Sequence, residues 1–400
     1  MFTFRLVSPP TPQATSPKPQ ASTLCGTLPP MHILYIYKDY YPVLGGIENN
    51  LRDLAEGMAG RGHTVTVLAT NAGPQTLEEQ PRPGLRVIKA GRALHAASTP
   101  LSPAMLQIAR GLRPNVAHLH FPYPPGDLAA LALPGQPPLV LTYHSDIVRQ
   151  QTLLRLYRPL LALTLRRAAR IFATSPQYIR SSPFLRPHAR KCVVMPSAVD
   201  LARFGPASPA LVAALRAQHG GPLLLFVGRL RYYKGLHVLL DALPQVPATL
   251  LIAGTGPERE RLEAQARGLG IAGRVRFLGD VDDADLPALY QAADVFVLPA
   301  HLRAEALGLA QIEALASGTP SVSTELGTGT SFANLHGVTG FVVPPADPAA
   351  LARALRVLVA NPELRHRMGT AGRQRVAELF GLQRMLDTAE QVYREVSTEV

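Results

Sequence analysis

The sequence predicts an α/β protein of two consecutive doubly wound domains, each built on a parallel sheet and both facing a central cleft. Three observations predict it. Short apolar runs alternate with stretches of helical period along most of the chain. The alternation halts at 200–220 and starts afresh at PLLLFVG, 222–228. The length, 400 residues, suits two domains of about 100–200 residues each. Strands alternating with helices imply parallel pairing through right-handed crossovers.

Residues 1–30 are rich in Pro, Ser and Thr without hydrophobic period, so a disordered extension is expected there, with Met31 a candidate natural start. The first domain, 31–205, opens on the strand HILYIY (32–37). A loop holding Gly45-Gly46 follows, then a helix over Glu48–Gly60 with Leu51, Leu54, Ala55 and Met58 on one face and Gly62 ending it. TVTVLAT (64–70), VAHLH (116–120), LVLTYH (139–144), RIFAT (170–174) and CVVMP (192–196) are its further strands. In the second domain, 206–378, TLLIAG (249–254), RVRFLG (274–279), DVFVLPA (294–300) and PSVSTE (320–325) follow the opening strand. Residues 379–400 form a C-terminal helix expected to return to the first domain. Each sheet then sends its strand ends, and the loops that carry function, into the cleft.

Formal net charge is +12, and it is unevenly spread. Residues 1–205 hold 22 Lys and Arg against 9 Asp and Glu, leaving 18 against 19 in the rest of the chain. The first half is therefore expected to meet something anionic. Residues 149–170, RQQTLLRLYRPLLALTLRRAAR, have six arginines, no acid and many leucines, and predict a basic amphipathic helix able to rest on an anionic membrane. No apolar run reaches 18 residues, and two cysteines, Cys25 and Cys192, make neither a disulfide framework nor a zinc pattern. A cytoplasmic protein, peripheral on the inner membrane face, is expected. No zinc module, aromatic RNA-binding motif or basic tail supports a nucleic-acid partner.

Four constellations carry chemistry. Glu305-Ala-Leu-Gly308-Leu309-Ala-Gln-Ile-Glu313 follows the strand DVFVLPA. Glu305 falls in the loop, Gly308 near a helix start and Glu313 about two turns into that helix. Unpaired N–H groups at a helix start suit a diphosphate, and the two carboxylates accept hydrogen bonds from sugar and ribose hydroxyls. Gly228-Arg229 and Lys234-Gly235 follow the first strand of the second domain and supply two cations to neutralise a diphosphate without a metal. Gly45-Gly46 lets backbone approach donor or acceptor. His144, at the end of a first-domain strand, points into the cleft. No metal is expected, because Asp282-Asp283-Ala284-Asp285 reads as the N-cap and first turn of the helix DLPALYQAA.

Together these residues resemble the retaining glycosyltransferases of family 4, often called group 1, which have the GT-B fold. The resemblance runs from Met31 almost to the end, through GG-x-E, RGH-x-V-x-V, GR…KG, G-x-GP, FLG, AD-x-F-x-LP, E-x7-E and TGFVVPP in order. It implies that Glu305 contacts the donor sugar and Glu313 the ribose. Arg229 and Lys234 hold the diphosphate, and His144 lies near the sugar. Gly45 and Gly46 form the glycine loop, and backbone around Arg276, Phe277 and Leu278 meets the base. YYKG and STELGTGTS are similar to members that build bacterial surface polysaccharides, mannosyl- and galactosyl-type transferases among them. Pro196-Ser197-Ala198-Val199-Asp200 replaces the common PNG-x-D, and Gly254-Thr255-Gly256-Pro257 the common GDGP. The implied activity is metal-free hexosyl transfer from a UDP- or GDP-linked sugar to a saccharide or lipid-linked acceptor, without a cofactor. A GT-B epimerase or phosphorylase is the alternative.

Overall fold

The structure is a computed structural model that describes residues 29–43, 45–96, 99–147 and 151–398. The expectation for residues 1–30, Pro29 and Pro30 apart, lies outside them, as do Cys25 and Arg149.

The first domain carries β1 (His32–Ile36), α1 (Gly46–Gly60), β2 (Thr64–Thr70), β3 (Leu77–Arg82), β4 (Leu85–Ala90), β5 (Leu94–Ala96), β6 (Thr99–Leu101), α2 (Pro103–Gly111), β7 (Val116–Phe121), α3 (Pro124–Leu131), β8 (Leu139–Tyr143), α4 (Gln151–Arg167), β9 (Arg170–Ala173), α5 (Pro176–Ser181) and β10 (Cys192–Val194). The second carries α6 (Pro209–His219), β11 (Leu223–Val227), α7 (Leu236–Ala242), β12 (Thr249–Ala253), α8 (Arg259–Gly268), β13 (Val275–Gly279), α9 (Leu286–Ala292), β14 (Val295–Leu298), α10 (Leu309–Ala316), β15 (Ser321–Thr324), α11 (Thr330–Ala333), β16 (Gly340–Val343), α12 (Pro348–Ala360) and α13 (Pro362–Leu379). The final helix, α14, spans Leu382–Thr398.

Eight strands run in the order β10-β9-β8-β7-β1-β2-β4-β3 and six in the order β13-β12-β11-β14-β15-β16. Every pairing in them is parallel except β3 with β4. β1 has neighbours from opposite crossover directions, β2 and β7, and so does β11, between β12 and β14. These are the switch points where doubly wound sheets open a crevice for ligands.

The strands read as continuous apolar runs because both faces are covered: β7 and β8 are buried at every position. β3 was not foreseen, for the opposite reason. Its LEEQPR is exposed throughout and lacks an apolar face. Cross-strand ion pairs hold it, Arg86 on Glu78 at 2.6 Å and Lys89 on Glu79 at 2.8 Å. β4, the β5–β6 hairpin and β16 also lay beyond the expected set.

The chain passes between domains twice, side by side. Val199 donates its N–H to the carbonyl of Phe380 at 2.9 Å. By packing the second core starts early, since Val199 and Phe204 belong to it. Beyond Gly381 the chain returns: Met385, Leu386, Ala389, Val392, Tyr393 and Val396 of α14 complete the first core.

A charged clamp seats α14. Glu390 accepts from Arg61 at 2.7 Å and Arg394 at 2.5 Å, with His63 Nε2 at 3.3 Å. Burial opposes its ionisation, but those hydrogen bonds outweigh it and hold the carboxyl at about 2, below its ordinary 4.5. The stability it contributes is present above the ordinary value and is lost as pH falls toward 2. Glu390→Ala is expected to weaken docking of α14 by about 2 kcal/mol, the worth of hydrogen bonds to a charged group. Hydrogen exchange over 382–398 reads this, rising in the variant near neutral pH and converging with wild type in acid.

Candidate active site

The site grows from the C-terminal ends of the strands at both switch points. After β11 the chain turns at Gly228, whose φ of 143° falls to glycine. Arg229 follows, exposed and without an ion pair among the described residues, and a short 3-10 turn ends at Lys234. Gly235 lies so close to the carbonyl of Pro299 that a Cβ would sit 1.9 Å from the oxygen. That contact ties the lysine turn to the end of β14.

Lys234 Nζ lies 2.5 Å from Glu305 Oε2. Burial works against the ammonium charge, yet the carboxylate offsets it and its pKa stands above the ordinary value. Glu305 is itself buried, and its backbone is pinned by Thr328, whose hydroxyl donates to the Glu305 carbonyl at 2.8 Å. Gly308 is the N-cap of α10, with φ 81°. A Cβ there would sit 2.5 Å from Leu298 Cδ2, so this turn requires glycine. α10 starts at Leu309, which places Glu313 a little over one turn into the helix rather than two. Tyr290 donates to Glu313 Oε2 at 2.7 Å, and burial raises the Glu313 carboxyl. The helix start thus lies between Glu305 and Glu313, with the Leu309 and Ala310 amides ahead of the first backbone bond, which Gln311 N–H donates to the Gly308 carbonyl at 3.0 Å.

Across the cleft, Gly45 is the N-cap of α1, and a Cβ on Gly46 would meet Leu309 Cδ1 at 3.2 Å. His144 is buried, with Nε2 2.8 Å from His120 Nδ1. The structure therefore brings Gly46 against the start of α10, and Lys234, Glu305, Gly308 and Leu309 into one cluster. Beside Arg229 opens a pocket of about 250 Å³ lined by Gly228, Thr255, Asp280, Val281 and Leu286. Arg276, Phe277 and Leu278 lie on β13 and are not among its lining residues. Of the aspartates from 282 to 285, Asp285 takes the N-cap position of α9 without a side-chain capping bond, and Asp283 pairs with Arg203 at 3.3 Å.

Sequence reasoning missed Arg303. Its guanidinium reaches Asp146 of the first domain at 3.0 Å and Ser181 Oγ at 3.0 Å. Thr174 adds a bond to the Ala306 carbonyl at 3.3 Å. A lone loop arginine carries no signal in sequence for a partner 157 positions away.

Comparison with known proteins decides the class. The model of "Glycosyltransferase Family 4" matches residues 44–203, and that of "Glycosyl transferases group 1" matches 209–375. The chain is 40% identical to the D-rhamnosyltransferase WbpZ of Pseudomonas aeruginosa, over 88% of this chain and 92% of that protein. It is 38% identical to the O-antigen chain mannosyltransferase C of Escherichia coli, over 91% and 98%.

The chain is a group 1 glycosyltransferase.

Its fold is GT-B. The sucrose-phosphate synthase of Thermosynechococcus elongatus superposes with a TM-score of 0.76 at 25% identity, covering 92% of this glycosyltransferase and all of that chain. Among the described residues of the glycosyltransferase, no helix is long and apolar enough to cross a membrane.

Proposed function

We propose that this glycosyltransferase moves a hexosyl group, mannosyl- or galactosyl-type, from a UDP- or GDP-linked sugar to a saccharide or lipid-linked acceptor in surface polysaccharide synthesis. Transfer is retaining and metal-independent. The observation that carries the reading is the cluster at the mouth of β11 and β14: the half-buried Lys234 paired with the buried Glu305 beside a glycine-capped helix start, with Arg229 exposed nearby. The mannosyltransferase among its relatives favours the mannosyl form.

In this reading the diphosphate lies between Arg229, Lys234 and the amides of α10. Glu305 faces the sugar, Glu313 the ribose, and His144 reaches the sugar from the acceptor domain, with Gly45 and Gly46 closing over it. The anomeric C–O bond breaks with its electron pair passing to the diphosphate. The acceptor oxygen bonds to the anomeric carbon on the same face, and its proton passes to the leaving phosphate. Arg229, Lys234 and the helix start offset the charge that develops, and Glu305 holds Lys234 in place before substrate arrives.

The acceptor side supports a lipid link and a peripheral place on the inner face of the membrane. α4 buries Leu154, Tyr157, Leu161 and Leu165 but exposes Leu153, Leu156 and Leu163 beside Arg155, Arg158 and Arg166. A helix with apolar and cationic groups on its open face suits anionic lipid. Co-sedimentation with anionic but not neutral vesicles is the expected result, and equal recovery with both would remove the membrane contact.

A thermal-shift screen with UDP, GDP, ADP and their common sugars tests the donor site. A ligand that binds the folded state at 100 times its Kd adds about 2.7 kcal/mol. One base is expected to stabilise selectively, with no change on adding EDTA. Stabilisation abolished by EDTA would overturn the metal-free reading.

A further inference from the structure

Three imidazoles stand in a row beneath the cleft. His118 and His120 on β7 have ring centroids 4.6 Å apart, and His120 and His144 lie 5.1 Å apart at an interplanar angle of 19°. All three are buried. Burial lowers the pKa of each, and the other histidines lower those of His118 and His120 further, so the row is neutral near pH 7. Each ring then carries one N–H.

The far end of the row is closed. His118 Nδ1 meets the Tyr393 hydroxyl at 2.6 Å and Nε2 meets Thr142 Oγ1 at 2.6 Å. Tyr393 in turn meets Tyr35 at 3.1 Å. His120 uses Nδ1 for His144 Nε2, at 2.8 Å, and its Nε2 has no partner among the described residues. Two proton arrangements satisfy the shared bond. If His144 donated, His120 would keep a buried N–H on Nε2 with nothing to accept it. If His120 donates, only a lone pair is left unmatched. Orphaned buried N–H donors are the rarer case.

We propose that His120 is a positioning residue: its Nδ1–H donates to His144 Nε2 and fixes His144 as the Nδ1–H tautomer. His144 then offers the cleft a hydrogen-bond donor and no basic nitrogen. It binds an oxygen of the donor substrate, and the acceptor proton leaves by the phosphate. This role in binding rests on the donor site proposed above; the tautomer does not.

The test is a long-range proton–nitrogen correlation spectrum of the full chain labelled with 15N-histidine, with the His144 signals assigned by their loss in His144→Gln. Wild type is expected to show His144 protonated at Nδ1 and bare at Nε2. Protonation at Nε2 overturns the proposal, whether or not a His120 variant folds. His120→Leu is expected to release the tautomer, while His120→Asn, whose amide N–H takes about the place of Nδ1–H, retains it. Calorimetric titration with GDP-mannose and UDP-glucose follows. Affinity for whichever binds is expected to fall about tenfold in His120→Leu, the loss of one hydrogen bond, and to recover in His120→Asn. Equal losses in both variants would overturn the positioning role. If neither sugar nucleotide binds wild type, the donor reading fails while the spectrum still decides the tautomer.

Discussion

Lys234→Ala is expected to lower kcat by about 10²–10³, the usual consequence of removing one preorganised group that stabilises developing charge. The ammonium sits 2.5 Å from Glu305, with both side chains largely withdrawn from solvent, so its field on a leaving diphosphate is less screened than at the surface. The substitution also leaves Glu305 as a buried carboxylate without its cation, which costs roughly 3–5 kcal/mol of stability. A drop in activity alone would therefore be ambiguous. The double variant Lys234→Ala/Glu305→Gln, compared with Glu305→Gln alone because Glu305 itself faces the sugar in the proposed reading, separates the two effects. It removes the stranded charge, and its urea midpoint is expected to return toward wild type, while turnover stays low. Turnover near wild type in either variant would remove Lys234 from the mechanism. Recovery of turnover together with stability would mean that the lysine serves the fold alone.

How far the sequence discloses this site depends on the range over which its residues act. Gly308 and Gly235 are legible because each answers a local demand, a left-handed turn where β14 or β11 gives way to a helix. Lys234, Glu305 and Glu313 are legible because their spacing is tied to the ends of buried strands. The continuous apolar runs of β7, β8, β11 and β12 mark the parallel sheets for the same reason. β3 is silent, since an exposed edge strand held by ion pairs has no apolar alternation to read. The depth of Glu313 was overestimated because α10 begins only at Leu309, after a capped loop whose length periodicity cannot fix. The histidine row was visible only at His144. His118 and His120 sit in a strand where each reads as an ordinary interruption of an apolar run, and only pairing of β7 with β8 sets them beside it.

Arg303→Ala is expected to lower kcat/KM by tenfold or more, and in a different manner from loss of Lys234. Arg303 lies two positions before Glu305 and bonds Asp146 twice, at 3.0 and 3.2 Å, while also holding the Leu326 carbonyl at 3.0 Å. Its guanidinium lies 5.3 Å from the centre of the Tyr178 ring. Asp146 is fixed from its own side by Tyr143 at 2.9 Å and Ser182 at 2.8 Å. The pair is thus a rigid point where the Glu305 loop meets the first domain, only partly open to solvent. Without it, the closed arrangement loses population and the loop loses its aim, so KM should rise as kcat falls. Lys234→Ala, by contrast, acts on kcat. The pair also predicts non-additivity. Asp146→Ala and Arg303→Ala together should cost little more than either alone, with a coupling of about 1–3 kcal/mol, because the groups act through one contact. Small-angle scattering should show a larger radius of gyration in each variant without ligand. Additive losses in activity at an unchanged radius would mean that Arg303 orients the Glu305 loop within its own domain and has no part in closing the cleft.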